Sequence, residues 1–237
     1  MIEIKGVTKK FKNVTALDGF TLTVRDKECF GLLGLNGAGK TTLINVLSTV
    51  IKKDGGEVIA NGINLDKEPE KIRKIINVSP QENAVCKNLT VRENLSLIAD
   101  LYDIENKEEK IAAAIKKFGL EEKAGVQAKK LSGGQQRRLS IALAIISEPQ
   151  ILFLDEPTLG LDVKARAVLW EVIERLKSEM TIVLTTHCLD EVEHLCDRVG
   201  IMTKGKIKVV GTVKEVTEQT GKNTLEEAFL ALTEEDA

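Results

Sequence analysis

Long apolar runs are absent from this sequence. The longest, such as residues 141–146 and 151–154, are far shorter than the roughly 20 apolar residues that a helix needs to cross a bilayer. The first residues alternate between apolar and polar and do not form a basic, then apolar, cleavable signal. We therefore expect a chain that does not span a membrane and is not secreted, with a cytoplasmic location.

An excess of charge of one sign is also absent. The chain has 34 Lys and Arg against 36 Asp and Glu, a formal net charge of -2. It therefore offers no broad cationic face to a phosphate backbone, and we expect no nucleic acid partner. The four cysteines contain no C-x-x-C pair and there are only two histidines, which disfavours a zinc site and a disulfide framework.

The sequence contains enough apolar residues to form a core, and they follow strand patterns in some segments and helical patterns in others. The alternation near the N-terminus and at residues 20–24 predicts antiparallel strands, whereas the continuously apolar residues 29–33 are typical of a strand covered on both faces. Strand patterns stop over about 82–148, where amphipathic helices are predicted, and strand, helix and strand from 151 to 185 predict parallel pairing. We expect one α/β domain over 1–237 with this helical insert and a helical tail over about 214–237.

A glycine-rich segment follows the apolar strand at residues 29–33 and fits the phosphate-binding loop G-x-x-x-x-G-K-[ST]. Its glycines let backbone N–H groups point at phosphates, Lys40 would reach the β- and γ-phosphates, and the Thr41 hydroxyl would serve Mg²⁺. An ordinary strand-to-helix turn is the alternative, but it explains neither Lys40 nor Thr41. The predicted nucleotide-binding residues here are Gly34, Leu35, Asn36, Gly37, Ala38, Gly39, Lys40, Thr41 and Thr42.

Two carboxylates end the apolar strand at residues 151–154. In a parallel sheet this end lies at the same edge as the phosphate loop, so Asp155 would hold Mg²⁺ through water. Glu156 points differently and could polarise the water that attacks the γ-phosphate, as a catalytic general base. The alternative is a solvated pair of acids at a strand end.

A second anion site is predicted where Ser132 precedes a run of helix-favouring residues. Ser132 is a typical N-cap, and backbone N–H groups beyond it are free to bind an anion. One nucleotide cannot easily use this site and the phosphate loop of the same chain, which suggests a nucleotide held by another copy. A simple helix cap is the alternative. The predicted residues are Ser132, Gly133, Gly134 and Gln135.

The phosphate loop, the signature segment (residues 131–135, Leu-Ser-Gly-Gly-Gln) and Leu-Asp-Glu at 154–156 occur in the order and approximate spacing of ATP-binding-cassette ATPases. The resemblance covers essentially the whole chain. It implies an α/β P-loop NTPase core of the ABC ATPase type, with an N-terminal antiparallel β-subdomain and an inserted α-helical subdomain. It also implies a head-to-tail dimer that binds ATP and Mg²⁺ between the phosphate loop of one subunit and the signature segment of the other. The partner is a second ABC ATPase subunit, which makes a homodimer if it is a copy of this chain and a heterodimer if it is a different cassette.

Other residues gain a role only through this resemblance. Phe11 lies where the family places an aromatic residue on adenine, Gln81 matches the glutamine that contacts Mg²⁺, and His187 matches the switch histidine at the γ-phosphate. Taken alone, these residues would be a core Phe, a polar loop residue and a satisfied polar His. Leu159 departs from the family, which often has Ser there, so a side-chain hydrogen bond across the dimer is not expected from it.

The resemblance also implies a function. It predicts a subunit that hydrolyses ATP to power transport through a separate integral membrane permease, placing the chain on the cytoplasmic face of the membrane. Residues 224–233 are similar to the tails of cassettes paired with drug, antibiotic or sodium exporters, which favours export. The alternative is a soluble ABC ATPase that acts as an ATP-driven switch without a permease.

Overall fold

Strands and helices alternate along the chain in the computed structural model, which describes residues 1–234. In this part of the chain the strands are β1 (Ile2–Phe11), β2 (Val14–Val24), β3 (Cys29–Leu33), β4 (Gly55–Ala60), β5 (Ile63–Asn64), β6 (Ile76–Ser79), β7 (Ile151–Asp155), β8 (Thr181–Thr186), β9 (Arg198–Thr203) and β10 (Lys206–Gly211). The helices are α1 (Lys40–Leu47), α2 (Pro69–Ile75), α3 (Val91–Leu101), α4 (Lys107–Lys117), α5 (Gly133–Ile145), α6 (Val163–Lys177), α7 (Leu189–Leu195), α8 (Val213–Thr220) and α9 (Leu225–Glu234).

The N-terminal strands form an antiparallel sheet in the order β2-β1-β4-β5. Ile2 and Ile4 are buried and pair with Val24 and Leu22 of β2, so the apolar residues of the two strands meet on one face. This is the outcome that the alternation near the N-terminus predicts, because successive side chains of a strand point to opposite faces.

The second sheet has the order β10-β9-β3-β8-β7-β6. The five strands from β9 to β6 run parallel to one another, and the edge strand β10 is antiparallel to β9. Its strands are covered on both faces. On β7, Ile151 and Phe153 belong to the core shared with β1, β2 and α1, whereas Leu152 and Leu154 belong to the core shared with α3, α5 and α6. The continuous apolar run of this strand reflects this burial on both faces.

The strand order decides where the functional segments lie. The strands β3 and β7 both pair with β8, so the carboxyl ends of the three strands meet at one edge of the sheet. Residues 34–42 follow β3, Asp155 ends β7, and His187 follows β8. Ligands of open parallel sheets bind at such an edge.

The helical insert and the tail follow the predicted pattern, and one helix was missed. Helices α3, α4 and α5 lie within 82–148, and α8 and α9 occupy the tail, separated by Gly221 in a left-handed conformation. The last three residues of the predicted tail, 235–237, lie outside the described residues. The missed helix, α2, begins with Pro69 and buries only Ile72, which is too few apolar residues to produce a helical period.

No helix in the described residues combines the length and the apolar character needed to cross a membrane.

Candidate nucleotide-binding site

A cavity of about 510 Å³ opens at the carboxyl edge of the parallel sheet. It brings the phosphate loop together with three residues that are distant in sequence, Phe11, Gln81 and Glu156. The other lining residues are Val14, Thr15, Ala16, Leu35, Asn36, Gly37, Ala38, Gly39, Lys40, Thr41, Thr42 and Lys204.

The glycines of the phosphate loop are required by close backbone contacts. Gly39 has φ 107°, and a Cβ there would lie 2.4 Å from the Ala16 carbonyl oxygen. A Cβ at Gly34 would lie 2.5 Å from the carbonyl oxygen of Met202. The loop therefore lies directly against β9 and the start of β2, and any side chain at these positions would displace it.

Lys40 is the first residue of α1 and its side chain is buried, although it carries a charge. Its Nζ donates hydrogen bonds to the carbonyl oxygens of Gly34 (2.6 Å) and Leu35 (3.2 Å) and lies 3.5 Å from Oε1 of Glu156. Burial lowers the pKa of Lys40, while the negative charges of Glu156 and Asp155 oppose this shift. The ammonium group is thus held against the loop by acceptors that a phosphate oxygen could replace.

Asp155, the metal ligand predicted at the end of β7, is 4% exposed and is held in place by two threonines. Its Oδ1 accepts a hydrogen bond from the hydroxyl of Thr185, and its Oδ2 accepts one from the hydroxyl of Thr41 at 3.0 Å. Gln81 lines the same cavity. Hydroxyl, carboxylate and amide oxygens are hard ligands of the kind that Mg²⁺ prefers, so the residues present here fit this ion.

Glu156 is 9% exposed and adopts a left-handed conformation with φ 44°. Its N–H donates to the carbonyl oxygen of Thr185 at 3.1 Å, which fixes this unfavourable backbone. Its Oε2 lies 2.9 Å from Nδ1 of His187, so the structure brings together the two predicted catalytic residues. One carboxylate therefore contacts Lys40 on one side and His187 on the other.

Phe11 ends β1 at the rim of the cavity, with 45% of its surface exposed. The position contradicts the alternative that this Phe belongs to the core. The ammonium of Lys9 lies 5.2 Å from the ring centroid, a cation–π contact that leaves much of the ring accessible.

The signature segment lies elsewhere on the chain. Ser132 is the N-cap of α5: its hydroxyl accepts a hydrogen bond from the Gln135 N–H, and the Gln135 side chain accepts one from the Ser132 N–H. Gly134 packs so closely on α6 that a Cβ would lie 2.7 Å from Cβ of Ala165. Ser132 and Gly133 are exposed, and the lining residues of the phosphate-loop cavity include none of the segment.

Several residues near the site were missed by sequence reasoning. Thr15 and Lys204 line the cavity, and Thr185 holds Asp155. Arg137 donates hydrogen bonds to the backbone carbonyl oxygens of Asp155 and Pro157, at the end of β7. These residues carry no local sequence motif that would mark them as part of the site.

A buried parallel strand, a glycine-rich loop and a helix that begins with lysine define a nucleoside triphosphate-binding fold of the P-loop type. A family model described as ABC transporter matches residues 17–159. The chain belongs to the ABC transporter family, as an ATP-binding subunit and ABC ATPase.

Two bacterial relatives align with nearly all of the chain. The linearmycin resistance ATP-binding protein LnrL of Bacillus subtilis is 35% identical over 95% of this chain and 73% of its own length. The daunorubicin/doxorubicin resistance ATP-binding protein DrrA of Streptomyces peucetius is 38% identical over 94% of this chain and 69% of its own length. The chain spans only 9% of another relative, ATP-binding cassette sub-family A member 2 of Homo sapiens, to which it is 38% identical.

Solved structures give the same fold. An ATP-binding subunit of an ABC transporter superposes with a TM-score of 0.87 at 30% identity, covering 98% of this chain and 99% of that one. The dimeric structure of a bacterial ABC transporter cassette superposes with a TM-score of 0.80 at 27% identity, covering 90% and 98%. Cassettes of this family thus form dimers, and a further match, cbiO1 of Clostridium perfringens, is part of an ABC transporter complex.

Proposed function

We propose that two copies of this chain bind two ATP molecules head to tail and power export through a separate membrane permease. One observation carries the proposal. The phosphate loop, Phe11, Gln81 and Glu156 line one cavity, whereas Ser132 and Gly133 of the signature segment are exposed elsewhere on the same chain. Each chain therefore holds half of two sites, and a second copy related by two-fold symmetry would complete both.

In each site, Lys40 would exchange its contacts with loop carbonyls for the β- and γ-phosphates, and the N–H groups at the start of α1 would bind phosphate oxygens. The exposed ring of Phe11 would stack on the adenine. Thr41, Asp155 and Gln81 would hold Mg²⁺, directly or through water. The bound ion supplies positive charge that stabilises the charge developing on the phosphates.

Glu156 is positioned to act as the general base. Its buried carboxylate lies at the cavity, where it can accept a proton from the water that attacks the γ-phosphate. His187, in contact with the same carboxylate, would orient that water and sense the γ-phosphate. The contact between Glu156 and His187 links the end of β7 to the end of β8, so a γ-phosphate bound at His187 would also influence the position of the Glu156 carboxylate.

The arrangement of sites between copies can be tested by complementation. Lys40→Ala removes the ammonium group from the phosphate loop, and Ser132→Arg places a bulky side chain on the exposed signature segment. Each variant alone should be inactive. In an equimolar mixture, half of the dimers are mixed, and each mixed dimer has one site built only from wild-type segments, so about one quarter of the wild-type ATPase activity should return.

A mixture that stays as inactive as its components would contradict the head-to-tail dimer. Recovery must also depend on protein concentration, because it requires association. Mixing two different Lys40 variants, Lys40→Ala and Lys40→Gln, is the matched control and should restore nothing, since every dimer then lacks both lysines.

The permease and the direction of transport rest on the relatives. Two of them are named for resistance to linearmycin and to daunorubicin or doxorubicin, which supports export of drug-like molecules. We place the chain on the cytoplasmic face of the membrane, bound through the permease. Affinity purification from detergent-solubilised membranes should recover a protein with several membrane spans. Its absence from a preparation that still hydrolyses ATP would reject the transport role and leave the ATPase intact.

A further inference from the structure

Arg137 is a charged side chain buried to 3% exposure on α5, outside the predicted site. Its Nε donates a hydrogen bond to the Pro157 carbonyl oxygen at 2.8 Å, and its Nη2 donates one to the Asp155 carbonyl oxygen at 2.8 Å. Its Nη1 donates to the carbonyl oxygens of Pro80 and of Gln81, the latter at 3.3 Å. A single guanidinium on α5 thus joins two other backbone segments, residues 80–81 and residues 155–157.

These segments carry the residues proposed to bind Mg²⁺ and to activate water. The loop after β6 contains Gln81, and the end of β7 contains Asp155. Glu156 lies between the two residues, Asp155 and Pro157, whose carbonyl oxygens Arg137 binds. The planar guanidinium has five N–H donors in a fixed geometry, whereas a lysine ammonium is a single point with three. Only arginine can bind all of these carbonyls together.

Buried acidic groups lie near the Arg137 guanidinium. Burial lowers the pKa of Arg137 to about 10, opposed by the negative charges of Asp155 and Glu191. Glu191 is 1% exposed. Burial raises the pKa of Glu191, and the hydroxyls of Thr186 and Thr158 and the nearby Arg137 charge oppose that shift. The guanidinium therefore also compensates a buried carboxylate.

The next residue on the same helix makes a different set of contacts. Nη1 of Arg138 donates to the carbonyl oxygens of Phe118 (2.8 Å) and Gly119 (3.4 Å), and both of these belong to the helical insert. Burial lowers the pKa of Arg138 as well. The two neighbouring arginines thus make different connections. Arg138 binds within the insert, and Arg137 joins the insert to the sheet edge.

We propose that Arg137 is a positioning residue that fixes the backbone at Gln81 relative to the backbone at Asp155 and Glu156. The proposal rests on the roles given above to Gln81, Asp155 and Glu156. A displacement of α5 or of the loop after β6 would be transmitted through the guanidinium to the end of β7 and the residues that follow it.

The test compares Arg137→Lys with the matched control Arg138→Lys in the full chain. For Arg137→Lys we expect kcat to fall about tenfold and the Mg²⁺ concentration for half-maximal ATPase activity to rise at least about threefold, because the carbonyls lose their common donor. Nucleotide affinity measured by calorimetry with the divalent ion chelated should stay within about twofold, since Lys40 is untouched. Arg138→Lys should leave all three quantities within about twofold.

Unchanged kcat and Mg²⁺ dependence in Arg137→Lys would overturn the proposal, as would equal losses in both variants. If Arg137→Lys fails to fold, Arg137→Gln, which keeps two donors, takes its place, and failure of both to fold would assign Arg137 a role in stability alone. A wild-type chain without ATPase activity would instead reject the roles of Asp155 and Glu156 on which the proposal rests.

Discussion

Two helix N-termini of this chain are suited to bind phosphate, and they differ in what surrounds them. Helix α1 begins after Gly39, which provides no side-chain cap, and its first residue, Lys40, faces a cavity. Helix α5 begins after Ser132, which forms a capping box with Gln135 and is exposed. The first terminus leaves its N–H groups open to a ligand of the same chain. In the second terminus the capping box binds the N–H groups of Ser132 and Gln135, while Ser132 and Gly133 are exposed and free to meet another molecule.

The proposed catalytic groups are already assembled within a single chain. Lys40, Asp155, Glu156 and His187 already contact one another directly or through threonine hydroxyls. The signature segment contributes none of these contacts. Damage to the phosphate loop should therefore affect nucleotide binding or chemistry in each chain, and damage to the signature segment only steps that need the dimer.

The largest effect is expected for Glu156→Gln. The amide cannot accept a proton, so turnover should fall by roughly 10²–10⁴-fold while ATP still binds. Phosphate release gives the rate, and size-exclusion chromatography should show an accumulated ATP-bound dimer. Glu148→Gln is the matched control, because Glu148 is also a glutamate in a left-handed conformation (φ 54°) but is exposed and paired with Lys110. Normal turnover in Glu156→Gln would reject the assignment of the base.

Lys40→Ala should weaken ATP binding by about 100-fold, because charge-assisted hydrogen bonds to two phosphates are lost. Isothermal titration calorimetry measures this directly. The control is Lys53→Ala, since Lys53 also has a buried side chain, donates to a carbonyl oxygen at 2.6 Å and contacts a carboxylate at 2.7 Å, but lies outside the cavity. Equal affinities for the two variants would contradict the phosphate-loop interpretation.

Ser132→Ala tests whether Ser132 contacts the nucleotide of the other copy in addition to capping helix α5. Thr212 forms the same capping box with Glu215 at the start of α8, so Ser132→Ala and Thr212→Ala should each cost about 1 kcal/mol of unfolding free energy. Denaturant unfolding checks that match. Only Ser132→Ala should also lower kcat, by about tenfold, through the lost contact with the phosphates of the other copy. If Ser132→Ala and Thr212→Ala change kcat equally, Ser132 acts only as a helix cap.

The smallest effect is expected at the adenine. Phe11→Ala should raise the dissociation constant for ATP about fivefold through lost stacking, and Phe11→Tyr should keep the affinity of the wild type. Fluorescence titration with an ATP analogue measures both. Val50→Ala, at an exposed position outside the cavity, serves as the control. If Phe11→Ala binds ATP as well as this control does, Phe11 does not contact the base.

Sequence reasoning predicted most of the fold because its patterns are local. The continuous apolar run of β3 and the helical period of the insert and of the tail can each be recognised in a short stretch of sequence. Helix α2 had none, since only Ile72 of its seven residues is buried. The position of Phe11 could not be decided from the chain alone, because a single Phe on a strand fits a core or a cavity rim equally well.

Contacts made across the fold were beyond the reach of sequence patterns. Arg137 lies in a helix whose residues are buried on nearly all sides, so no polar face marks it as special. Its partners are backbone carbonyls, which every residue has, and no residue type at Pro157 or Gln81 indicates the contact. The sequence likewise indicates only that Thr185 belongs to a strand. Its contact with Asp155 depends on the pairing of β8 with β7.

The sequence by itself determined the parts of the site that are contiguous: a glycine loop that ends in Lys40, and the two carboxylates that end β7. Their chemistry follows from residue type and spacing, because backbone geometry over a few residues is fixed locally. Only the tertiary structure decided that Thr41 meets Asp155 and that His187 meets Glu156. Those contacts depend on the strand order β3-β8-β7, which is set by packing on both faces of the sheet rather than by any single segment.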